Sequence, residues 1–333
     1  EKTEYEYSYN YQTWYPSAEY ETNNTIKNIG LFDLTPFSKF EIKSDKAHQE
    51  LQKICTANIK NEPGKCVYTH MLNSDGGIET DLTVVCVDKN HFRIISSAAT
   101  RERDKFHINK HLSKNIELKD ITDDLCVFGL FGPKSRDLLK TLSEDNFEND
   151  QFRFGFAKFI TIDGVKIWTQ RLSYVGELGY ELYVDLKDAK KIYELLIEKG
   201  KDFNLSNCGM HAMDIMRMES GFLHWGHDIS PEENQYQAGL AFTISNKKDV
   251  DFIGKQALEK IKQDKVKTRF SMFTLKESEP GKPLLLHDEP IYDGEKIIGR
   301  STSGNYSFNF KKNLVFGYIN NDLSNEELQN KNL

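Results

Sequence analysis

The chain has 333 residues, 38% of them apolar and 29% charged, with a formal charge of −7, a balance that allows about two or three domains with ample core. Lys and Arg are scattered rather than massed, which argues against a nucleic-acid partner, and no run approaches the roughly 20 apolar residues of a membrane span. The first residues, EKTEYEYSYNYQTWY, lack the charged-then-apolar order of a signal peptide, so a soluble, intracellular (cytoplasmic) protein is expected.

In chain order, residues 1–20 are crowded with Tyr, Trp14 and Glu and suggest an extended arm laying aromatics on the body; the missing initiator Met suggests a processed product or an excised piece. GLFDLTPFSKFEI (30–42) reads as a short turn and a strand, and residues 45–59 have helical spacing at Ala47, Leu51, Ile54 and Cys55. The runs VYTHML and LTVVCV, joined by NSDGG, predict a β-hairpin within residues 64–87. A strand at 91–97, a polar helix at 100–112 with solvated charges, a strand at 125–131 and a helix opening at Gly132-Pro133 and running to Leu142 follow. Residues 152–170 alternate as one or two strands around Asp163-Gly164, and an amphipathic helix spans 187–199.

A helix at about 211–220 is stopped by Gly221, a strand is expected at 239–244, and a short helix at 253–262 leads into the Lys-rich linker QDKVKT. From Arg269 onward, short strands alternate with Gly, Pro and Asp turns as in a small all-β unit, and NEELQNKNL ends where a further strand is expected. Strands and helices without regular βαβ alternation predict an α+β fold, divided into residues 1–262 and 263–333.

Five cysteines without CxxC spacing read as reduced, buried thiols, and nine histidines without HExxH spacing indicate no metal. GxGxxG and GxxxxGK[ST] are absent, so flavin, nicotinamide or nucleotide phosphate is not expected by those routes.

Two carboxylates stand out. Asp81 opens the second hairpin strand before Leu82, Val84 and Val85, and is therefore either on the solvent face or held in a partly buried site. Glu181 lies in YVGELGYEL; if residues 180–184 form a strand, it points away from Tyr180 and Leu182. A carboxylate so placed can accept two hydrogen bonds from an amino-pyrimidinone ring, or pair with a Lys or Arg on an exposed face. Glu177, in the turn, fits the exposed pairing better. Met213, Met216 and Met218 read as helix core, Arg217 and Glu219 as structural pairs. His224, Trp225 and His227 either line a channel or pack a loop, and Trp225 is suited to stacking on a flat heterocycle.

The segments GGIETDLTV, RLSYVGELGYEL, MDIMRMESGFLHWGHDI, DFIGKQAL and IIGRSTSGNYS with VFGYI resemble, in order and spacing, the motifs of the glycine-cleavage T-protein (aminomethyltransferase) family, over about 30–319. Within it, LFDLTPFSKFEI, MLNSDGGIE and YVGELGYEL are most similar to the folate-binding half of dimethylglycine oxidase, dimethylglycine dehydrogenase and sarcosine dehydrogenase. The stand-alone T-protein has two acidic residues where this chain has Thr80-Asp81, and an Arg before the Asp of its ARD motif where this chain has Met213-Asp214, which argues against lipoamide-type chemistry.

The resemblance implies a three-lobed cloverleaf with a small C-terminal β-barrel around a tetrahydrofolate channel. It implies Asp81 as the catalytic aspartate, Tyr68 and Tyr174 as lining residues and Glu181 as the holder of the pterin edge. The expected reaction is one-carbon transfer from a methylated amine or its iminium to tetrahydrofolate, with Asp81 taking the proton and steadying the cation. The flavin half of the relatives makes the iminium, so a flavin-dependent oxidase domain or subunit is an expected partner. The alternatives are a non-catalytic folate-binding module and a demethylase of a sulfonium compound.

Overall fold

The computed structural model describes residues 6, 8, 9, 11–322, 324, 326 and 327. The chain runs α1 (Tyr15–Lys27), β1 (Ile29–Asp33), β2 (Ser38–Lys43), α2 (Ala47–Ile54), β3 (Cys66–Leu72), β4 (Ile78–Asp88), β5 (His91–Ser96), α3 (Arg101–His111), β6 (Leu118–Asp120), β7 (Leu125–Phe131) and α4 (Ser135–Leu142). It continues through β8 (Ala157–Ile162), β9 (Val165–Gln170), β10 (Gly179–Asp185), α5 (Leu186–Gly200), β11 (Leu205–Cys208), α6 (Met210–Glu219) and α7 (Lys255–Asp264) to β12 (Thr268–Thr274), β13 (Pro290–Asp293), β14 (Lys296–Ser307) and β15 (Lys312–Asn320).

Three sheets, one to a lobe, organise these elements. A six-stranded sheet has the order β11-β1-β7-β10-β9-β8, a five-stranded sheet the order β3-β4-β5-β2-β6, and a four-stranded sheet the order β12-β15-β14-β13. The two larger sheets each bury one face under helices. Leu138, Leu139, Ala189, Ile192 and Leu196 of α4 and α5 cover Leu130, Tyr180, Leu182 and Val184, while Ala47, Leu51, Ile54 and Ile108 of α2 and α3 cover Met71, Leu82, Val84 and Ile94. Because side chains alternate along a strand, the residues between these positions point to the opposite faces. Those faces share one core, in which Cys66 and Val85 from one sheet meet Val127, Trp168 and Tyr183 from the other, with Ala212, Met213 and Met216 of α6 beside them. The expected α+β, three-lobed arrangement is what the structure shows.

Helix α6 also joins the third lobe, since Met218 packs on Leu314 and Phe316 and Ile215 packs with Tyr15, Ala18, Tyr306 and Phe308. Arg217, 2% exposed, pins the junction through Asp214 (2.8 Å) and the fully buried Asp228 (2.6 Å), and donates to Ser303 Oγ at 2.8 Å. Arg217 is thus the structural pair expected, and the three methionines are core.

Four expectations are corrected. Residues 15–27 form a helix instead of an extended arm: Pro16 sits at its start, where a missing N–H costs nothing, while residues 1–5, 7 and 10 lie outside those described. GLFDLTPFSKFEI makes two strands in different sheets, because the turn at Thr35 redirects the chain. The strand expected at 239–244 is a 3-10 turn over Ala241–Thr243, in which Thr243 Oγ1 donates to the Leu240 carbonyl at 2.7 Å; such a local bond competes with strand pairing. Finally, the polar helix α3 does not leave all its charges in water, since Asp104 is buried and accepts from Thr100 Oγ1 at 2.7 Å and Thr80 Oγ1 at 3.2 Å. The terminal NEELQNKNL falls mostly outside the described residues.

Candidate functional site

The hairpin β3–β4 sets the geometry. Asn73 Oδ1 accepts from the backbone of Asp75 (3.0 Å) and Gly77 (2.9 Å), and Gly76 takes φ +86°, a left-handed conformation suited to glycine. This turn fixes a register that makes His70 the direct partner of Asp81. Tyr68, His70 and Asp81 consequently share the inter-sheet face with Cys66 and Val85.

The Asp81 side chain is 16% exposed, and its Oδ1 lies 3.7 Å from His70 Nε2; that oxygen is buried with no hydrogen-bond partner among the described residues. Burial pushes the carboxyl up to about 7; the Tyr68 hydroxyl acts against the shift and the Asp104 charge adds to it. His70 is fully buried and burial pulls its imidazole down to about 3, so the ring is neutral. Tyr68 Oη is 3.2 Å from His70 Nε2, and burial together with Asp81 raises its hydroxyl well above the usual phenol range. The edge of the Tyr68 ring nevertheless reaches the surface, where the well-exposed Phe242 stands with ring centroids 6.4 Å apart.

On the facing sheet, Glu181 and Tyr183 point away from Tyr180 and Leu182, as expected from strand alternation. Tyr183 Oη donates to Glu181 Oε2 at 2.8 Å. Burial pushes Glu181 up to about 7, with the Tyr183 hydroxyl acting against the shift. Its neighbour across β9 is Gln170, fully buried and with neither carboxamide atom partnered; the Trp168 indole N–H, on the same face of β9, is also unpartnered.

The two carboxyls are connected through inward-facing groups. Cys66 interacts electrostatically with Glu181, and Tyr68, two residues further along β3, with both Asp81 and Tyr174. The Tyr174 hydroxyl donates to the Leu223 carbonyl at 2.7 Å and its ring stacks on Phe222, so Tyr174 brings its ring, more than its hydroxyl, to the site. Trp225 belongs to the cluster of Leu72, Ile78 and Ile229. Its Nε1 donates to the Ile78 carbonyl at 3.0 Å and Arg103 covers one ring face at 4.8 Å. Glu177 is half-buried, and the charge that acts on its carboxyl is Glu219, not a Lys or Arg.

Sequence reasoning missed His70, Asp104, Gln170, Gln235 and Thr243. A signal for His70 was present: counting back from the NSDGG turn pairs it with Asp81 on one strand face. All five cysteines are free thiols. No described helix is long and apolar enough to cross a membrane, and no metal-binding group of His, Cys, Asp or Glu occurs among the described residues.

Fold and site together define a three-lobed α+β protein whose candidate site is built from carboxyls that burial holds above the usual carboxylate range, on the facing sides of two sheets. The family model for the GCVT N-terminal domain matches residues 1–248 and that for the glycine cleavage T-protein C-terminal barrel domain matches residues 269–330; the chain belongs to the glycine-cleavage T-protein family. It is 36% identical over 303 residues to 4-methylaminobutanoate oxidase (formaldehyde-forming) of Paenarthrobacter nicotinovorans, covering 91% of this chain and 36% of that protein. It is 32% identical over 325 residues to mitochondrial dimethylglycine dehydrogenase of Rattus norvegicus, covering 97% and 38%. The chain thus spans little more than a third of these two relatives. The aminomethyltransferase of Halothermothrix orenii is 32% identical over 304 residues, covering 91% of this chain and 83% of the relative. The crystal structure of the glycine cleavage system aminomethyltransferase T from Bartonella henselae superposes with TM-score 0.80 at 19% identity, covering 95% of this chain and 86% of that one, and has the same fold.

Proposed function

We propose that this chain carries out tetrahydrofolate-dependent one-carbon transfer, taking the carbon from a methylated amine through its iminium. The observation that carries the reading is the pair Asp81 and Glu181: each is pushed up to about 7 by burial, and strand alternation turns each toward the sheet face whose apolar residues, Cys66 and Val85 on one side and Trp168 and Tyr183 on the other, share one core. A buried carboxyl short of partners is costly unless something else satisfies it.

The residues present fit a reduced pterin. Glu181 can accept from its ring N–H donors, and the Gln170 carboxamide beside it, unpartnered at both ends, offers one donor and one acceptor. Across the site, Asp81 Oδ1 is the unpartnered acceptor. When bound, tetrahydrofolate supplies a nucleophilic nitrogen that accepts the one-carbon unit. The Asp81 carboxylate removes the proton displaced as that bond forms, and its negative charge steadies a cationic carbon before transfer. With a pKa near 7 the group is basic enough to take the proton and acidic enough to give it up. Tyr68 and Phe242 form an aromatic rim, and Tyr174 with Phe222 a stacked wall, suited to a flat or cationic guest. Holding both reactants in one dry site contributes through proximity.

The amine oxidation that yields the iminium is proposed to belong to a flavin-dependent domain or subunit outside this sequence; the names of the longer relatives, an oxidase and a dehydrogenase, support the oxidation. The proposed domain division places the carboxyl site in residues 1–262, with 263–333 bracing α6. The experiment is tetrahydrofolate titration followed by a single turnover with formaldehyde, comparing the chain with Asp81→Asn. Methylene-folate formation that is just as fast in the variant would remove Asp81 from the chemistry, and absence of tetrahydrofolate binding to the parent would overturn the reading.

A further inference from the structure

His70 is neither solvent-exposed nor accounted for by packing alone. It is a fully buried imidazole in register with Asp81, its Nε2 aimed at Tyr68 Oη (3.2 Å) and Asp81 Oδ1 (3.7 Å). Its other nitrogen is enclosed by groups from a distant part of the chain: Nδ1 lies 3.1 Å from Thr243 Oγ1 and 3.2 Å from Gln235 Nε2.

The proton positions follow from what each group can do. The Thr243 hydroxyl donates to the Leu240 carbonyl at 2.7 Å; a carbonyl can only accept, so Thr243 Oγ1 has no proton for His70. The Thr56 hydroxyl donates to the Thr243 carbonyl at 3.2 Å. The two protons of Gln235 Nε2 find their shortest acceptors in Thr56 Oγ1 (2.9 Å) and Thr243 Oγ1 (3.0 Å). Every donor in this cluster is matched when Nδ1 carries the imidazole proton and gives it to Thr243 Oγ1, and Nε2 is then an unprotonated acceptor facing the Tyr68 hydroxyl at 3.2 Å and Asp81 Oδ1 at 3.7 Å.

We infer that His70 is a positioning residue whose unprotonated Nε2, fixed by the Thr243–Gln235 cluster, accepts a hydrogen bond from the protonated Asp81 carboxyl. The inference rests on the reading of Asp81 as the proton acceptor. As the one-carbon unit is transferred, an N–H bond breaks and an O–H bond forms on Asp81 Oδ1, neutralising the carboxylate. The new O–H then faces Nε2, which shares the proton without taking it, because burial keeps His70 a weak base. A lone pair there disfavours the ionised carboxyl and favours the protonated one. The other groups acting on Asp81 are Tyr68 from β3, Asp104 from α3 and Tyr174 from the segment before β10.

The test uses the whole chain without ligand. Nitrogen NMR of histidine-labelled protein, with His70 assigned by comparison with His70→Gln, should give a protonated Nδ1 and an unprotonated Nε2; the reverse assignment overturns the inference. Isotope-edited infrared titration of the Asp81 carboxyl, identified by its loss in Asp81→Asn, should show its pKa falling by roughly one unit in His70→Leu, with His70→Gln recovering part of the fall through its amide oxygen. Thr243→Val, which takes away the acceptor that fixes the ring, should shift it in the same direction and serves if His70→Leu does not fold. A pKa that rises, or does not move, overturns the inference. None of these readouts uses folate, so they stand apart from a failure of the proposed function, which would appear as loss of tetrahydrofolate binding by the parent chain.

Discussion

Glu181 lies directly opposite Gly129 across the β10–β7 ladder, and the space that the missing side chain leaves is filled by Phe131 and Leu34. One flank of the carboxyl is therefore hydrocarbon and the other is Gln170, so Tyr183 is left to hold it. This is the physical origin of its raised pKa, and it makes the residue dependent on a ligand for its remaining hydrogen bonds.

Replacing Glu181 by Gln keeps the shape and removes the charge. Tetrahydrofolate affinity should weaken by about 1–3 kcal/mol, the range for losing a charged hydrogen-bond partner, or roughly 5- to 150-fold in Kd. Pterin donors favour the ionised carboxylate, so affinity in the parent should rise as pH passes upward through about 7, and the variant should lack that dependence. Calorimetric titrations at several pH values decide it; an unchanged Kd removes Glu181 from the site.

Asp81→Asn should leave tetrahydrofolate binding within a few-fold and slow single-turnover methylene transfer by about 10²–10⁴, the usual contribution of a positioned acid–base group. Rapid-quench measurement of methylene-folate separates the two effects. A variant with undiminished rate and weakened binding would make Asp81 a ligand contact only.

The same carboxyl links stability to pH. In the unfolded chain Asp81 titrates near 4, whereas burial raises it to about 7 in the folded state. Between those values the folded state holds a proton that the unfolded state has released, so raising the pH lowers stability until the folded group has also ionised. The ligand-free parent should accordingly lose stability relative to Asp81→Asn between about pH 4 and 7, by at most a few kcal/mol, and run parallel to it above that window. Urea midpoints across the range test this, and a difference independent of pH would contradict the burial argument.

Removing Arg217 leaves Asp228 buried without its cation. Arg217→Met should cost about 3–5 kcal/mol of unfolding free energy, as expected for an orphaned buried charge. Combining it with Asp228→Asn should cost less than the sum of the two single changes, because the stranded charge is then gone. Denaturant unfolding of the four proteins completes the cycle; strict additivity would mean that the pair does not act as a unit.

The elements legible in the sequence were those with a strong local signal: the NSDGG hairpin, the amphipathic α5 and the helix after Gly132-Pro133, which opens at Ser135 with Pro133 in the turn before it. Helix α1 was not, because its buried face includes Thr22, Asn24 and Thr25, polar residues whose burial depends on partners such as Asn204 and Ser206, 180 and 182 positions away. Asp81 and Glu181 stood out because carboxylates are rare among apolar strand residues. Gln235 and Thr243 were invisible for the opposite reason: polar residues in an irregular stretch carry no pattern, and they meet His70 across 165 and 173 positions.

Helix α6 places Met213 and Met216 in the inter-sheet core, Ile215 against α1 and Met218 against β15. Ten residues thus act as a common axle for three lobes. A clip in the 264–268 connection should leave the last β-unit docked, and a sulfoxide on one of these thioethers would be felt at the carboxyl site and at the far lobe together.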